Sequence, residues 1–297
     1  MRDSGSAPSP ARAPDIAAAA LALWCGALTL AGCAPSHRSE PRRWRTPLDA
    51  PTRGADAHDG SHLLITDYSE NCVREVDSDG AETWRLDEIY GAWDAERLPD
   101  GNTLLVEFSV SRVREVDPRG ETVWSYEDLK NPYAASRLPD GATLIANTFG
   151  GEVRVVDAAG EVVWRYGGIR PFDVERTSAG TYLICDVLKD RVLEVNAAKE
   201  IVWQVQGMPN AHDADRLPNG NTLITLRNKG QVVEVDPNGE QVWSLDGLVS
   251  PSDADRLPDG NTVVAENQRV RCFDPSGALV REHKAAWAVE VNRVPAR

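Results

Sequence analysis

The sequence is poor in cysteine and in net positive charge, and both shortages exclude classes of function. Only 5 cysteines occur in the 297 residues, with no C-x-x-C pair and no cluster of cysteine and histidine. A disulfide framework or a zinc site is therefore not indicated. The formal net charge is -14 at pH 7, and no basic stripe offsets it. Such a chain repels phosphates, so we exclude a nucleic acid as the partner.

No hydrophobic run is long enough to form a transmembrane helix. The main apolar stretch, residues 16–31, is shorter than the roughly 20 residues that span a bilayer, but it suits the core of a signal peptide. It ends in Leu30-Ala31-Gly32-Cys33, which resembles a bacterial lipobox. We therefore predict a lipoprotein signal peptide over residues 1–32 and lipidation of Cys33, with an ordinary cleaved signal as the alternative. Either outcome takes the mature chain out of the cytoplasm.

Residues 33–56 are predicted to be a tether between the lipid and a folded domain. Their prolines and their few apolar residues argue against a packed element. Arginines at positions 38, 42, 43 and 45 lie close to the predicted anchor, where they either contact anionic head groups or remain in solvent. The partner implied by this segment is a membrane, on the periplasmic side or at the outer surface.

A repeat with a period of about 40 residues fills the remaining chain. Landmark arginines are spaced by 40, 39, 40 and 40 residues, and landmark tryptophans by 40, 40, 39 and 40. Short β-rich runs at this period are typical of propeller blades. The arginines are Arg97, Arg137, Arg176, Arg216 and Arg256, and the tryptophans are Trp84, Trp124, Trp164, Trp203 and Trp243.

Each repeat contains four short extended runs. Valine, leucine and threonine favour strands within the runs, and proline and glycine favour tight turns between them. In the second copy the runs are Ala95–Leu98, Thr103–Phe108, Val113–Asp117 and Thr122–Tyr126. The recurring tryptophan near the start of the last run is expected to pack between neighbouring blades.

The first repeat lacks its own first strand, and the C-terminus supplies one. Residues 290–295 (EVNRVP) align with residues 94–99 (DAERLP), so the chain end is expected to complete the first blade and remove the open edge. The prediction is an all-β, six-bladed β-propeller of four-stranded blades over residues 57–297. In the fourth blade, Lys199 stands where other blades have glycine, which predicts a strained or altered turn.

The repeated D-A-x-R-L-P-[DN]-G-N-T-L, followed by V-x-E-V-D-P-x-G-E-x-V-W, resembles the repeat of the arylsulfotransferase-type propellers, which are similar to the wider quinoprotein-like propellers. The resemblance implies transfer of a sulfuryl group between phenols through a histidine that is transiently sulfated, with an arginine stabilising the anion. His212 is the only histidine at the equivalent place, just before an inner strand. Arg216 is the candidate anion clamp. The further channel histidines of that family are missing here.

Residues four positions before each landmark arginine are expected at the entrance of the central channel. Trp93, Tyr133 and Phe172 stand there, next to His212 in the following blade. Three aromatic rings from consecutive blades either hold a flat aromatic ligand by stacking or cap the ends of the blade cores. We take them as candidate ligand-binding residues.

Nine acidic residues occupy two positions on one face of the inner strands, just inside this entrance. Asp213 and Asp253 of this set are further candidates for ligand binding. The landmark arginines are the expected partners of the set, in a ladder of ion pairs between blades; the alternatives are substrate binding and a calcium ion on the axis. No calcium-loop motif occurs, so no metal and no cofactor is predicted. The set is Asp94, Asp173, Asp213, Asp253 and Glu290, with Glu96, Glu175, Asp215 and Asp255 two residues further on.

Two functions from different classes agree with these observations. The first is a lipid-anchored binding module for an aromatic small molecule or an envelope protein. The intact repeat pattern and the small number of candidate catalytic residues favour it. The second is sulfuryl transfer through His212. A quinone-dependent dehydrogenase ranks last, because such enzymes have larger rings and a dedicated calcium site.

Overall fold

The computed structural model describes residues 62–294, which form six antiparallel sheets of four strands each. The predicted six-bladed propeller is confirmed. The signal peptide, Cys33, the tether and residues 57–61 and 295–297 lie outside the described residues. Blade one contains β24 (Ala288–Val294), β1 (His62–Asp67), β2 (Cys72–Val76) and β3 (Glu82–Leu86).

The other five blades each follow one another directly in the chain, with the first strand innermost. Blade two is β4 (Ala92–Arg97), β5 (Thr103–Glu107), β6 (Arg112–Val116) and β7 (Thr122–Tyr126); blade three is β8 (Ala134–Arg137), β9 (Thr143–Asn147), β10 (Glu152–Val156) and β11 (Val162–Gly167); blade four is β12 (Pro171–Arg176), β13 (Tyr182–Asp186), β14 (Arg191–Val195) and β15 (Ile201–Gln206); blade five is β16 (Ala211–Arg216), β17 (Thr222–Leu226), β18 (Gln231–Val235) and β19 (Gln241–Leu245); blade six is β20 (Asp253–Arg256), β21 (Thr262–Glu266), β22 (Arg269–Phe273) and β23 (Leu279–Lys284).

The C-terminal strand closes the ring as predicted. β24 pairs antiparallel with β1, with His62 opposite Val294 and Ile65 opposite Val291. The inner strands then contact one another in the cyclic order β24, β4, β8, β12, β16 and β20. β24 thereby covers the edge of β1 that would otherwise be open for pairing with another chain.

The core lies between the blades and is built mainly from the second strands. Thr103–Glu107 of β5 is buried at every position, because each blade is covered on both faces by its neighbours. One apolar cluster, for example, joins Val106 of blade two to Ile145 of blade three. A strand covered on both sides needs apolar residues throughout, which is why the sequence shows continuous rather than alternating hydrophobicity.

Four of the six blade junctions share one arrangement, which we call the interblade lock. The landmark arginine of one blade bonds a glutamate on the third strand of the preceding blade and lies over the tryptophan of that blade's fourth strand. Arg97, for example, is 2.8 Å from Glu75 and 4.2 Å from the ring centre of Trp84. The other locks are Arg137–Glu115–Trp124, Arg216–Glu194–Trp203 and Arg256–Glu234–Trp243.

The inner carboxylates connect neighbouring blades differently from the predicted series of ion pairs with the landmark arginines. Asp94 accepts the backbone N–H of Ala135 at 2.8 Å, and Glu96 accepts that of Arg137 at 2.8 Å. The guanidinium of Arg137 meanwhile turns to Glu115. Carboxylates of one blade therefore bond the backbone of the next, while the arginine side chains bond the blade before. The expected pairing of these carboxylates with the landmark guanidiniums is wrong at these junctions.

The outer turn of blade four keeps the shape of its counterparts despite its lysine. Lys199 adopts a left-handed backbone with φ 69°, and its N–H donates to the carbonyl of Asn196 at 2.8 Å. Gly160 makes the same bond to Asp157 in blade three, with φ 87°. The predicted strain is therefore taken up by the backbone of Lys199 without a change of turn.

Replacing Lys199 by glycine is expected to raise the free energy of unfolding by about 1 kcal/mol, because glycine adopts this conformation without a steric penalty. The reverse change at Gly160, where an added Cβ meets nothing within 4 Å, should lower it by a similar amount. Urea unfolding of both variants measures the two effects. A loss of stability in Lys199→Gly would show that the lysine side chain contributes more than its backbone costs.

Within residues 62–294, the only helices are 3₁₀ turns at Phe108–Val110, Thr148–Gly150 and Arg227–Lys229. None of them has the length or the apolar character to cross a membrane. Cys72, Cys185 and Cys272 are free thiols. The stability of this part of the chain therefore rests on interblade packing and on the hydrogen bonds between blades.

Candidate functional site at the aromatic end of the channel

The candidate aromatic residues converge where the inner strands begin. Trp93 and Tyr133 stack at 4.3 Å with an angle of 12° between their planes, and Phe172 lies 4.6 Å from Tyr133. His212 completes the group, 5.1 Å from Phe172 and 6.0 Å from Trp93. The predicted arc of four residues therefore forms one cluster, in which the rings pack against each other.

The cluster also covers the ends of the blade cores. Trp93 packs against the apolar cluster of blades two and three, and Phe172 against that of blades four and five. Both rings are half-buried, whereas His212 is only 5% exposed. These contacts agree with the capping alternative, because each of these rings packs against the end of a blade core.

A second circle of residues surrounds this cluster and was missed by the sequence reasoning. Tyr68 lies 5.4 Å from Trp93 and 5.0 Å from Trp287, and Phe108 lies 5.2 Å from Tyr133. Tyr68 and Phe108 each follow the last residue of a second strand directly, as Arg227 does in blade five. That shared register was the signal that would have found them.

His212 is held as a neutral imidazole. Its Nδ1 lies 2.9 Å from the carbonyl oxygen of Ser252, which can only accept, so Nδ1 carries the proton. Burial, together with the nearby charge of Arg227, lowers the pKa of His212 to about 3. A neutral imidazole is the form that nucleophilic catalysis requires, but its position is closed off by the surrounding rings.

Arg227, and not Arg216, is the cation beside His212. Arg227 is 7% exposed, donates to the carbonyl oxygen of Ser250 at 3.1 Å and lies 5.9 Å from the ring centre of Trp287. Burial lowers its pKa to about 10. Arg216 ends the same strand that His212 begins, and its guanidinium is engaged in the interblade lock with Glu194. The structure therefore separates the two residues that the sequence paired as nucleophile and clamp.

Asp213 and Asp253 lie deeper along the inner strands and bind the backbone of neighbouring blades. Asp213 accepts the N–H of Ala254 at 3.2 Å, and Asp253 accepts that of Val291 at 2.8 Å. They are 8% and 3% exposed. Burial raises the pKa of both carboxyls well above the usual range, and the charge of neighbouring aspartates raises it further.

Two further acids of the set follow the same pattern. Glu175 accepts the backbone N–H of Arg216 at 2.8 Å, and Asp173 that of Ala214 at 3.3 Å. Among the described residues, no group of three or more histidine, cysteine or acidic side chains has an arrangement that would hold a metal ion. A calcium ion on the axis remains a hypothesis from the sequence.

Blade three interrupts the ring of acids. Ala134 and Ser136 stand where the other regular blades have carboxylates on their inner strands. The channel is therefore less negative on the side of this blade than elsewhere. That gap adjoins the start of blade four.

The comparisons with known proteins agree with the fold. The family model described as outer membrane protein assembly factor BamB matches residues 38–149 and 149–293. The structure is similar to that of a protein of unknown function from Bacteroides caccae, with a TM-score of 0.68, 16% identity, and coverage of 79% of this chain and 99% of that one. A search of curated proteins finds no match.

Two further solved structures share the architecture at low identity. Virginiamycin B lyase from Staphylococcus aureus has a TM-score of 0.57 and 11% identity, covering 77% of this chain and 85% of that one. A chain of the nidogen/laminin complex has a TM-score of 0.65 and 11% identity, covering 79% and 98%. Similarity at this level shows the fold alone. Because the two stretches matched by the family model cover most of the sequence, the chain belongs to the BamB-type, quinoprotein-like family of β-propellers.

Proposed function

We propose that this chain is an exported, lipid-anchored β-propeller that binds an envelope protein at its aromatic end and does not transfer sulfuryl groups. The observation that carries the proposal is the aromatic cluster itself, whose rings and His212 pack on one another at the start of the inner strands. This packing leaves little room for a phenol beside His212, but it provides a rigid apolar floor for a partner.

An exposed apolar rim surrounds this floor. The rim residues lie in the loops at the same end of the blades and are between 42% and 57% exposed. Phe149 of the rim lies 6.4 Å from Tyr133 of the cluster, so the rim and the floor are continuous. Exposed apolar patches of this kind mark protein interaction sites. The rim is formed by Tyr90, Val110, Phe149, Leu188 and Val249.

The family and the predicted anchor support a protein partner at the envelope. The matched family is described as an outer membrane protein assembly factor, a role that requires binding of other proteins. Lipidation at Cys33 would hold the propeller close to a membrane, where such partners lie. The arylsulfotransferase resemblance supports the alternative, in which His212 would be sulfated and Arg227 would stabilise the anion.

Site-specific photocrosslinking tests the proposed surface. A benzophenone amino acid at Leu188, which is 57% exposed on the rim, is expected to capture a specific outer membrane or assembly protein in intact cells. Val202 is the matched control, because it is equally apolar and 54% exposed but lies on the outer strand β15. The captured protein should be lost when Val110 and Phe149 are replaced by aspartate. Equal capture at Leu188 and Val202, or no capture at Leu188, would contradict the proposal.

Removal of the His212 side chain distinguishes a packing role of this residue from a role in catalysis. His212→Ala is expected to lower the free energy of unfolding by about 2 kcal/mol, because it leaves a cavity and an unpaired Ser252 carbonyl. The full chain should release no nitrophenol from 4-nitrophenyl sulfate with phenol as acceptor, before or after the change. Phenol-dependent release that disappears in His212→Ala would establish the sulfotransferase instead.

A further inference from the structure

The junction between blades three and four lacks the interblade lock. At the register position of the lock glutamate, opposite the landmark tryptophan, blade three has Val155 facing Trp164. Opposite the landmark Arg176, blade four has Tyr182 where the four locked junctions have threonine. Both residues that would hold Arg176 are therefore replaced at the same junction.

These replacements release the Arg176 side chain. The ring of Tyr182 lies 4.3 Å from that of Trp164, within the 4.2 to 4.8 Å at which the arginines lie over tryptophan in the locks. Arg176 is exposed. Within residues 62–294, its guanidinium has no hydrogen bond or ion pair. A guanidinium without a partner, held at the end of a rigid strand, is able to bind an anion.

Arg176 lines an open cavity of about 600 Å³. The hydroxyl-bearing residues Ser136 and Ser178 line it as well, together with the apolar Leu138 and Pro139. This volume is within the range of small-molecule sites. The cavity lies at the opposite end of the inner strands from the aromatic cluster, since Phe172 stands near the start of β12 and Arg176 ends it.

The charges around the cavity select the kind of anion. The gap in the acid ring at Ala134 and Ser136 reduces the repulsion beside Arg176. Arg137 also lines the cavity, but its guanidinium is paired with Glu115. Glu175 and Asp140 line it as well, and these two carboxylates disfavour an ion that carries two negative charges. The apolar side chains Leu138 and Pro139 offer contact to a hydrocarbon body. A single carboxylate on an apolar body fits both conditions.

We propose that this cavity binds a small organic monocarboxylate. The carboxylate accepts two parallel hydrogen bonds from the guanidinium of Arg176, and the apolar body rests on Leu138 and Pro139. The site is independent of the protein-binding function proposed for the aromatic end, because it lies at the other end of the channel and shares no residue with it.

Titration of the purified full chain with benzoate tests this site, with saturation-transfer NMR as the measure of binding. Benzoate is expected to bind with a Kd of about 1 mM, as a small ligand with one charged contact does. Arg176→Ala should weaken binding at least tenfold, and benzamide, the neutral analogue, should bind no better to the wild-type chain than to this variant. Absence of benzoate binding to the wild type, or full binding by Arg176→Ala, would overturn the proposal.

A second variant removes the site while keeping the arginine. Val155→Glu combined with Tyr182→Thr rebuilds the interblade lock and should draw Arg176 away from the cavity, with at least a tenfold loss of benzoate affinity and no loss of thermal stability. Sulfate provides the remaining comparison. Tighter binding of sulfate than of benzoate would show that the site takes inorganic dianions and would refute the monocarboxylate assignment.

Discussion

Replacing Arg97 by alanine is expected to lower the free energy of unfolding by about 3 kcal/mol, because it removes one partner of a buried ion pair and leaves the other charge buried. The side chains of Arg97 and Glu75 are only 6% and 10% exposed. Arg97 also donates to the hydroxyl of Thr103 at 2.6 Å and to the carbonyl of Gly101 at 3.3 Å. Its loss leaves Glu75 buried with His62 as its remaining side-chain partner and uncovers the Trp84 ring.

Arg176→Ala is the matched control for this loss. The two arginines occupy the same repeat position, but Arg176 is exposed and its junction lacks the lock. Its replacement should change the free energy of unfolding by less than about 0.5 kcal/mol. Urea unfolding of both variants gives the comparison. Equal losses would show that the landmark arginine acts through the unfolded state or through solubility, rather than through the lock.

The melting temperature is expected to fall by about 5 °C or more between pH 6.5 and pH 8.0, because the folded protein retains protons that the unfolded chain releases. Burial raises the pKa of Asp94 to about 7 and that of Asp173 to about 8. It also raises the pKa of Asp213, Asp253 and Glu290 well above the usual range. Each proton held in excess by the folded state costs about 1.4 kcal/mol per pH unit as the pH rises.

The folded pKa values of these channel carboxyls lie above their unfolded values. An aspartate ionises near 3.8 when unfolded and only near 7 or 8 in Asp94 or Asp173 when folded, so stability decreases as pH rises through that interval. Asp173 keeps an intermediate exposure to the channel, and water there reduces this cost without cancelling it. His212 and His283 have folded pKa values of about 3 and about 4, so they oppose the trend only below pH 6.5.

Up to pH 8.0, the upper limit of this range, ionisation of the cysteine thiols adds little to the change in stability. Burial raises the pKa of Cys72 to about 12 and that of Cys272 to about 11, so these groups add to the slope only as the unfolded thiols begin to ionise. Calorimetry of Asp173→Asn should show a smaller decrease from pH 6.5 to pH 8.0, since asparagine carries no proton to lose.

Asp79→Asn is the control for the pH experiment. Asp79 lies exposed in an outer turn, and Asn238 occupies the same position in blade five. Its replacement removes one surface charge and should leave the slope unchanged. A wild-type melting temperature that is constant or rises between pH 6.5 and pH 8.0 would show that the channel carboxylates are ionised in the folded protein.

The blade number and the closing strand were predictable from the sequence because they depend on local signals. The period of the arginines and tryptophans, the turn residues and the continuous apolar second strands each repeat in the chain. The match of Glu290 and Val291 to Asp94 and Ala95 identified the inner strand of blade one. Because every blade of a repeat architecture carries the same pattern, a degenerate copy can be assigned by comparison with the others.

The sequence pattern suggested His212 and Arg216 as nucleophile and anion clamp of one site, but the structure separates them. Four residues of extended strand span about 13 Å, so the two residues lie at opposite ends of β16. The cation that approaches His212, Arg227, comes instead from the turn after β17. Adjacency in the sequence of a strand does not bring its two ends together, whereas the turn after the next strand returns to the first end.

The sequence by itself determined the six blades, the closing strand and the residues that line the channel, because periodic side chains on extended strands must face the same way in every copy. Only the tertiary structure decided their partners. Inner carboxylates bond a backbone about one repeat away, as Asp94 bonds Ala135, and the freedom of Arg176 depends on Val155 in one blade and Tyr182 in another. Such contacts form across blade junctions, where the geometry of packing selects among donors that the sequence presents equally.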